Sequence, residues 1–478
     1  MNASSSSRLK LARILLGFLK DLSAVFAQER TQHRAWRLSI ATTLVLGTHT
    51  IARMLASIGR DQEQWSSDYQ LFSRCQWHPR DLYTPVLHEA LDQGIVHARA
   101  QGFLLVAGDH THLKKTGTHI EGVRTIRDPM SPPYHVNLIQ GLRFFHLAMI
   151  LSPWRENENP ELSKIAPRAI PVRFEPSPIL KKPGKKATVE EHALYKKKVR
   201  ERPAAMLARQ QLEELRADLD KADAADLPML AVLDGGFCNR VFLREPIERV
   251  ELLCRCRKDA VLCLRHSGGG RRFYSEEKFR PEEIRTDEQQ PWIKAEVRTG
   301  GKQHAIRYKE LSDVYWQRGS FKRSMRIIVV APTGYRLHKK GRLLYRQPAY
   351  LLTTDLSTPA IVLIQAYIDR WQIEVAHREL KEDFGLQDTQ VRNEKSVPRH
   401  PSFEVAVYAM IHLATLKAYG PRRTEDFLAQ PKWGRPCLRP SFIDILRLLR
   451  HQLPSLSKRH FPKDMEIDHQ LLVEKAAA

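Results

Sequence analysis

The chain has 478 residues, 42% of them hydrophobic and 27% charged, with 77 lysines and arginines against 54 aspartates and glutamates, a formal net charge of +23. At about 150 residues per domain this is material for about three structural units, and its globular composition without any run of about 18 uninterrupted apolar residues argues against a disordered or membrane-spanning chain. A positive excess spread along the whole length implies a polyanionic partner, with nucleic acid preferred to a membrane.

From the N-terminus, Leu9, Ala12, Leu16, Leu19, Leu22 and Phe26 recur at helical spacing and predict an amphipathic helix packed on the rest of the fold. The Ser-rich, basic start superficially resembles a transit peptide, but without a clear cleavage site it is read as part of the mature protein. Leu38, Ala41, Leu44 and Val45 form a second helical stripe that Gly47 can close, after which Thr48 or Thr50 can cap a helix bearing Ile51, Met54, Leu55 and Ile58. A glycine turn between two helices suits helix-turn-helix DNA binding and, more commonly, simple helical packing. Residues 1–98 are read as a helical N-terminal region, for which DNA binding is one reading and structural packing the other.

From Gln101 the pattern changes. Phe103 to Ala107 is an apolar run ending at Gly108-Asp109, the mark of a buried strand, and Phe144 to Leu151 is another. Residues 153–203 collect eight prolines and the clusters Lys181-Lys182, Lys185-Lys186 and Lys196 to Lys198, which predicts an exposed connection. A helix from about Val189 to Ala222, broken or bent at Pro203, precedes a second strand, Met229 to Leu233, that again ends in an acid, Asp234. Val250 to Leu264 reads as one further strand. Between about 265 and 350 the chain is basic and β-rich, with strands at Ala295 to Tyr308, Met325 to Ala331 and Pro348 to Thr353, and turns at Gly268 to Gly270 and Gly300-Gly301. Thr358-Pro359 starts a long helix through Phe384 that Gly385 stops, and the remainder is helical and basic.

The six cysteines, at 75, 238, 254, 256, 263 and 437, contain no paired C-x-x-C and imply a reducing, cytoplasmic setting. Cys254, Cys256, Cys263 and His266 could be assembled into a zinc site, but a C-x-C in a strand more often packs as small apolar residues.

An apolar strand ending in Asp is ordinarily a turn or a cap. Two such strands side by side would instead project both carboxylates from neighbouring strand ends, where α/β sheets hold ligands and a divalent ion is the natural bridge. At about 100° per residue, Tyr367, Arg370, Glu374 and Lys381 share a stripe of about 60° on the helix, beside an apolar stripe of Ile364, Ile368, Trp371 and Val375 that can face the core. The bland alternative is a solvated face with an Arg370–Glu374 pair one turn apart.

The run YIDRWQIEVAHRELK, with Tyr367, Arg370, Glu374 and Lys381 at their spacing, resembles the Tyr-Arg-Glu-Lys signature of DDE transposases from bacterial insertion sequences, the hairpin-forming cut-and-paste group. GDHTHLKKTG around Asp109 and LAVLDGGF around Asp234 are similar to that family's two upstream acids, in the family order and with separations of 125 and 140 residues. The resemblance spans roughly residues 99–395. It implies an α/β fold with an RNase H-like catalytic core (99–264 and 351–395) interrupted by a β-rich insertion (265–350), and a helical C-terminal region (396–478). It also implies that Asp109, Asp234 and Glu374 are catalytic and hold two Mg²⁺ ions, for which Mn²⁺ can substitute, with Asp109 bridging both. Tyr367, Arg370 and Lys381 would contact phosphates near the scissile bond. Where relatives pass through a DNA hairpin an aromatic side chain in the insertion receives a flipped base; Tyr315, Trp316, Tyr345 and Tyr350 are available here. The expected partner is double-stranded DNA, both transposon ends and target, bound by a homodimer in the bacterial cytoplasm at the nucleoid. The competing readings are a nuclease on the same core without strand transfer, and an inactive DNA-binding protein.

Overall fold

The computed structural model describes residues 9–62, 65–93, 102–117, 119–128, 137–151, 164–201, 204–222, 224–268, 271–338, 340–430 and 437–462. The protein is mixed α/β. Helices α1 (Lys10–Ser23), α2 (Glu29–Leu44), α3 (Ile51–Ser57), α4 (Ser66–Ser73) and α5 (Tyr83–Asp92) come first. The expected stripe on α1 is buried from Leu11 to Leu22. Gly47 takes a positive φ between α2 and α3, where only glycine is unstrained, and the Thr50 side chain caps α3 by accepting from the Arg53 amide. Inside this layer Arg37 is paired with Asp68, both almost wholly excluded from solvent.

Strands β1 (Leu104–Lys114), β2 (Arg124–Arg127), β3 (Leu138–Leu151) and β4 (Arg168–Pro176) follow, then helices α6 (Val189–Glu201) and α7 (Ala204–Lys221). Next come β5 (Met229–Leu233), the short helix α8 (Arg240–Leu243), β6 (Val250–Arg255), β7 (Leu262–Arg265), β8 (Tyr274–Phe279), helix α9 (Pro281–Thr286), β9 (Ile293–Thr299), β10 (Lys302–Val314), β11 (Met325–Val330), the small hairpin β12 (Gly334–Tyr335) and β13 (Leu344–Tyr345), and β14 (Ala349–Thr353). Ten strands form one sheet in the order β2-β3-β1-β5-β6-β14-β11-β10-β9, with β4 also paired to β3. β1 runs antiparallel to β3 and parallel to β5, and β5 runs parallel to β6.

Two sequence readings need correction. The Pro-rich stretch 153–203 is not wholly an exposed connection, because it holds β4, seven of whose residues are buried. β4 pairs only with β3, and an edge strand tolerates Pro171 and Pro176 since the lost amide donors face no partner; the register slips between Leu147 and Ala148 to accommodate them. Val250 to Leu264 is two strands in different sheets, broken by a turn in which Arg257 and Asp259 pair. Ala295 to Tyr308 folds as a hairpin at the expected turn Gly300-Gly301, where both glycines take a positive φ. The strands read as an insertion continue the central sheet, β14 adding antiparallel to β6. The break expected at Pro203 lies outside the described residues.

The C-terminal half supplies α10 (Ala360–Asp369), α11 (Gln372–Arg378), a π-turn Glu379–Asp383, α12 (Ser396–Tyr419) and α13 (Phe442–Gln452). α12 is buried around most of its circumference, packed between β4 on one side and α1 on the other. N- and C-terminal segments are tied directly: the Lys10 ammonium donates to the Ala418 carbonyl and the Ala12 amide to Gln452 Oε1. α11 lies across β1 and β4, which fixes where its first turn meets the sheet. No helix among the described residues is long and apolar enough to cross a membrane.

Candidate active site

The parallel pairing of β1 with β5 ends at Gly108 opposite Leu233. Asp109 and Asp234 are the next residue on each strand, so the two acids sit on adjacent strands just past the last pair. Asp109 does not end its strand, as the sequence suggested. β1 continues to Lys114 because β3 pairs it throughout, Asp109 opposite His146 and Lys114 opposite Gly141. Asp234 directly precedes the turn Gly235–Phe237 and makes no side-chain capping bond there, so its carboxylate is not consumed by local structure. Gly108 is required by close packing: a Cβ would lie 2.6 Å from Leu233 Cδ2, 3.0 Å from Leu147 Cδ2 and 3.1 Å from Phe145 Cζ.

Glu374 arrives from the helical side. The expected single helix is interrupted at Arg370-Trp371, where the Trp371, Ile373 and Glu374 amides bond three residues back, to Ile368, Arg370 and Trp371, instead of four. This tightening displaces the stripes. The core side consists of Leu363, Ala366, Arg370, Ile373, His377 and Leu380, whereas Trp371, placed on the core stripe by ideal helical geometry, is 59% exposed. The helix closes in the π-turn that carries Lys381, and Gly385 stops it at positive φ.

Arg370 joins the pieces. Its Nη2 donates to Glu374 Oε1 at 2.8 Å, its Nη1 lies 3.6 Å from Asp109 Oδ2, and its guanidinium sits 5.6 Å from the centre of the Tyr367 ring. Burial pushes the Asp109 carboxyl up to about 6, against the pull of Arg370 and the His110 amide and with the push of Asp234 and Glu374. Glu374 is raised by burial in the same way, with Asp234 adding repulsion. Lys381 is lowered, first by burial and then by Lys114, while the charge of Asp109 opposes both. Burial also raises the Tyr367 phenol, and Asp234 adds to the effect. Three acids thus face one shared guanidinium, a locally acidic pocket inside a strongly basic chain.

Several neighbours were not singled out from sequence. His110 Nε2 meets Ser177 Oγ at 3.2 Å, and Arg143 Nε donates to the Ser177 carbonyl at 3.0 Å. Beneath the acids His146 Nδ1 meets His377 Nε2 at 3.0 Å, coupling β3 to α11 one turn past Glu374. The alternation Asp109-x-Thr111 with His110 and His112 was a readable signal for the first of these. Of the candidate aromatics, Tyr315 and Tyr350 are buried in packing, with Tyr350 donating to Glu282. Tyr345 is exposed on its hairpin. Trp316 lines a cavity of about 520 Å³ together with Cys238, Cys256, Cys263 and Arg318. Cys254, Cys256 and Cys263 are buried, in keeping with packing.

Among the described residues no group of three His, Cys, Asp or Glu side chains is set close enough to hold a metal ion. Yet the donor chemistry fits a divalent cation. Asp109 and Glu374 share the Arg370 guanidinium, Asp234 is near enough to repel both, and carboxylate oxygens are the hard donors that a divalent cation prefers.

Residues 203–400 match the family model of the transposase DDE domain, a stretch that includes Asp234 and Glu374 and begins after Asp109. The match supports a DDE transposase. No curated protein matches the chain.

Proposed function

We propose that the protein is an insertion-sequence transposase of the Tyr-Arg-Glu-Lys group that binds terminal inverted repeats, cleaves the DNA at them and joins the ends to target DNA. The observation that carries this reading is the meeting of Asp109 and Glu374 on Arg370, with Asp234 just past the last β1–β5 pair beside Asp109, in the family order. The order β4-β3-β1-β5-β6 within the sheet, with β1 antiparallel to β3 and parallel to β5, supports an RNase H-like core. In this reading residues 265–350 are the insertion and residues 1–98 serve DNA-end binding.

Asp109, Asp234 and Glu374 would hold two divalent cations, Mg²⁺ or Mn²⁺, which when bound supply activation of a water or 3′-hydroxyl and neutralisation of the leaving oxygen. The chain's own residues do the rest. Arg370 compensates the acid cluster and, with Tyr367 and Lys381, positions the phosphate backbone at the scissile bond without reading bases. The packed junction of β1, β3 and β5 fixes the spacing of the two aspartates before DNA arrives, so little reorganisation is left to the reaction. Trp316, beside the cavity that Cys238 also lines four residues after Asp234, is the aromatic best placed to take a flipped base. Synapsis of two ends makes a homodimer on DNA the expected assembly, working at the nucleoid in the cytoplasm.

The test is cleavage of a labelled duplex carrying the DNA that flanks this gene, with Mg²⁺ and with chelator. Cleavage at the element boundary that requires the ion supports the proposal. Binding without cleavage in either Mg²⁺ or Mn²⁺ would favour an inactive DNA-binding protein, and cleavage without joining a nuclease.

A further inference from the structure

The segment 178–201 joins β4 to α7 and contributes almost nothing to the core. Lys181, Lys182, Lys185 and Lys186 are exposed, and along α6 every described side chain is exposed except His192 and Tyr195, which are half-buried. Such a helix has no packing reason to exist, since most helical stability in proteins comes from a buried face. Its local order is supplied by its start, where the Thr188 amide donates to Glu191 Oε2 at 2.8 Å and the Glu191 amide to Thr188 Oγ1 at 3.2 Å. Over the 24 residues there are eight lysines and arginines against three glutamates. The glutamates at the first turn and the bases at the last suit the helix dipole, but the dipole does not account for the four lysines in the preceding loop.

The root of this segment is the second observation. Ser177, the residue before it, is anchored by Arg143 and touches His110, the neighbour of Asp109. The arm therefore leaves the fold next to the strand that carries Asp109, on the sheet face to which His110 points. Lys196, Lys197 and Arg200 share a face of α6 by their one-turn spacing, and a 13-residue helix is about 20 Å long, enough to follow several phosphates along a duplex.

We propose that residues 178–201 form a basic arm that lies on the phosphate backbone of duplex DNA beyond the scissile phosphate, holding it by charge and not by sequence. This rests on the transposase reading in needing the same duplex at Asp109, but it assigns a surface that the acid cluster and its stripe do not include. The test is equilibrium binding of a 40-base-pair duplex of mixed sequence across a series of KCl concentrations, for the wild type, K181Q/K182Q/K185Q/K186Q and K196Q/K197Q/R200Q. Every phosphate that a substitution leaves without its cation flattens the slope of log affinity against log salt by about 0.9, so the quadruple variant is expected to flatten it by up to about 3.6 and the triple variant by up to about 2.7, while the thermal melting of both stays at the wild-type value. Slopes equal to wild type in both variants would overturn the arm and leave the transposase reading standing. Absence of any salt-dependent duplex binding by the wild type would overturn both. Unchanged DNA slopes together with weaker binding to poly-glutamate would make the arm a docking site for an acidic protein and also overturn the proposal.

Discussion

Two glutamates little more than one turn apart on the same helical segment meet opposite fates. Glu379, at the start of the π-turn, is buried, yet its carboxyl is held at about 2: burial raises it, but His412 at 3.5 Å, the charge of Arg168 and the Tyr408 hydroxyl at 2.5 Å more than offset that. Glu374 is less buried, yet burial raises its carboxyl and Asp234 adds repulsion, and the Arg370 guanidinium, which Asp109 shares, only partly offsets them. The protein supplies Glu379 with every counter-charge it needs and leaves Glu374 short. An acid of the first kind holds the fold together. One of the second kind costs stability and is poised for a cation or a phosphate-bound partner.

Glu379→Gln would strain this contrast most. Losing the charge turns the charged acceptor of the buried Tyr408 hydroxyl into a neutral one and removes the acid whose field buried Arg168 feels, a loss of about 1.5–3 kcal/mol; a drop in denaturation midpoint is expected, and an unchanged midpoint would remove the contrast. Gly108→Ala is expected to cost about 1–3 kcal/mol by overpacking and to lower cleavage as well, since the added methyl must push β1 away from Leu233 where the two aspartates are spaced. Arg370→Gln should lower the melting temperature in chelator and regain part of it in Mg²⁺, as ligand binding to the folded state alone stabilises it. No recovery in Mg²⁺ would mean that the acids do not take up the ion.

Acidification acts through several buried groups at once. His412 is held to about 4, chiefly by burial and then by Arg168, and His49 to about 4, chiefly by burial and then by Arg450. Both are neutral in the fold and take a proton near 6.5 when unfolded, so the unfolded chain binds more protons below that value. Stability is fully present above pH 6.5 and is lost as pH falls towards 4. Glu379 carries the loss further, from its unfolded value near 4.5 down towards 2. A melting temperature that is flat from pH 7 to 4.5 would contradict these assignments.

The two acid-tipped strands and the stripe of Tyr367, Arg370, Glu374 and Lys381 were legible in sequence because apolar runs and helical spacing are local signals. What was not legible depended on partners. Asp109 lies inside a strand because β3 outruns β5, and no feature near residue 109 says so. β4 was hidden by its prolines, whose tolerance follows from being an edge. Ideal geometry puts Trp371 in the core, and three short backbone bonds turn it out to solvent. The strands between 293 and 353 are recognisable as β in the sequence but not as a continuation of the central sheet, since sheet order is settled by tertiary pairing.

Under the proposed function Glu374 serves chemistry and not the fold, and Glu374→Gln measured three ways puts that to the proof. Metal-dependent cleavage is expected to fall by about a thousandfold or more, duplex binding to stay within a few fold of wild type, and the melting temperature to equal or exceed the wild-type value, because a neutral amide relieves the repulsion from Asp234. Cleavage that survives, or a loss of cleavage that comes with unfolding and lost binding, would contradict this division between the two glutamates.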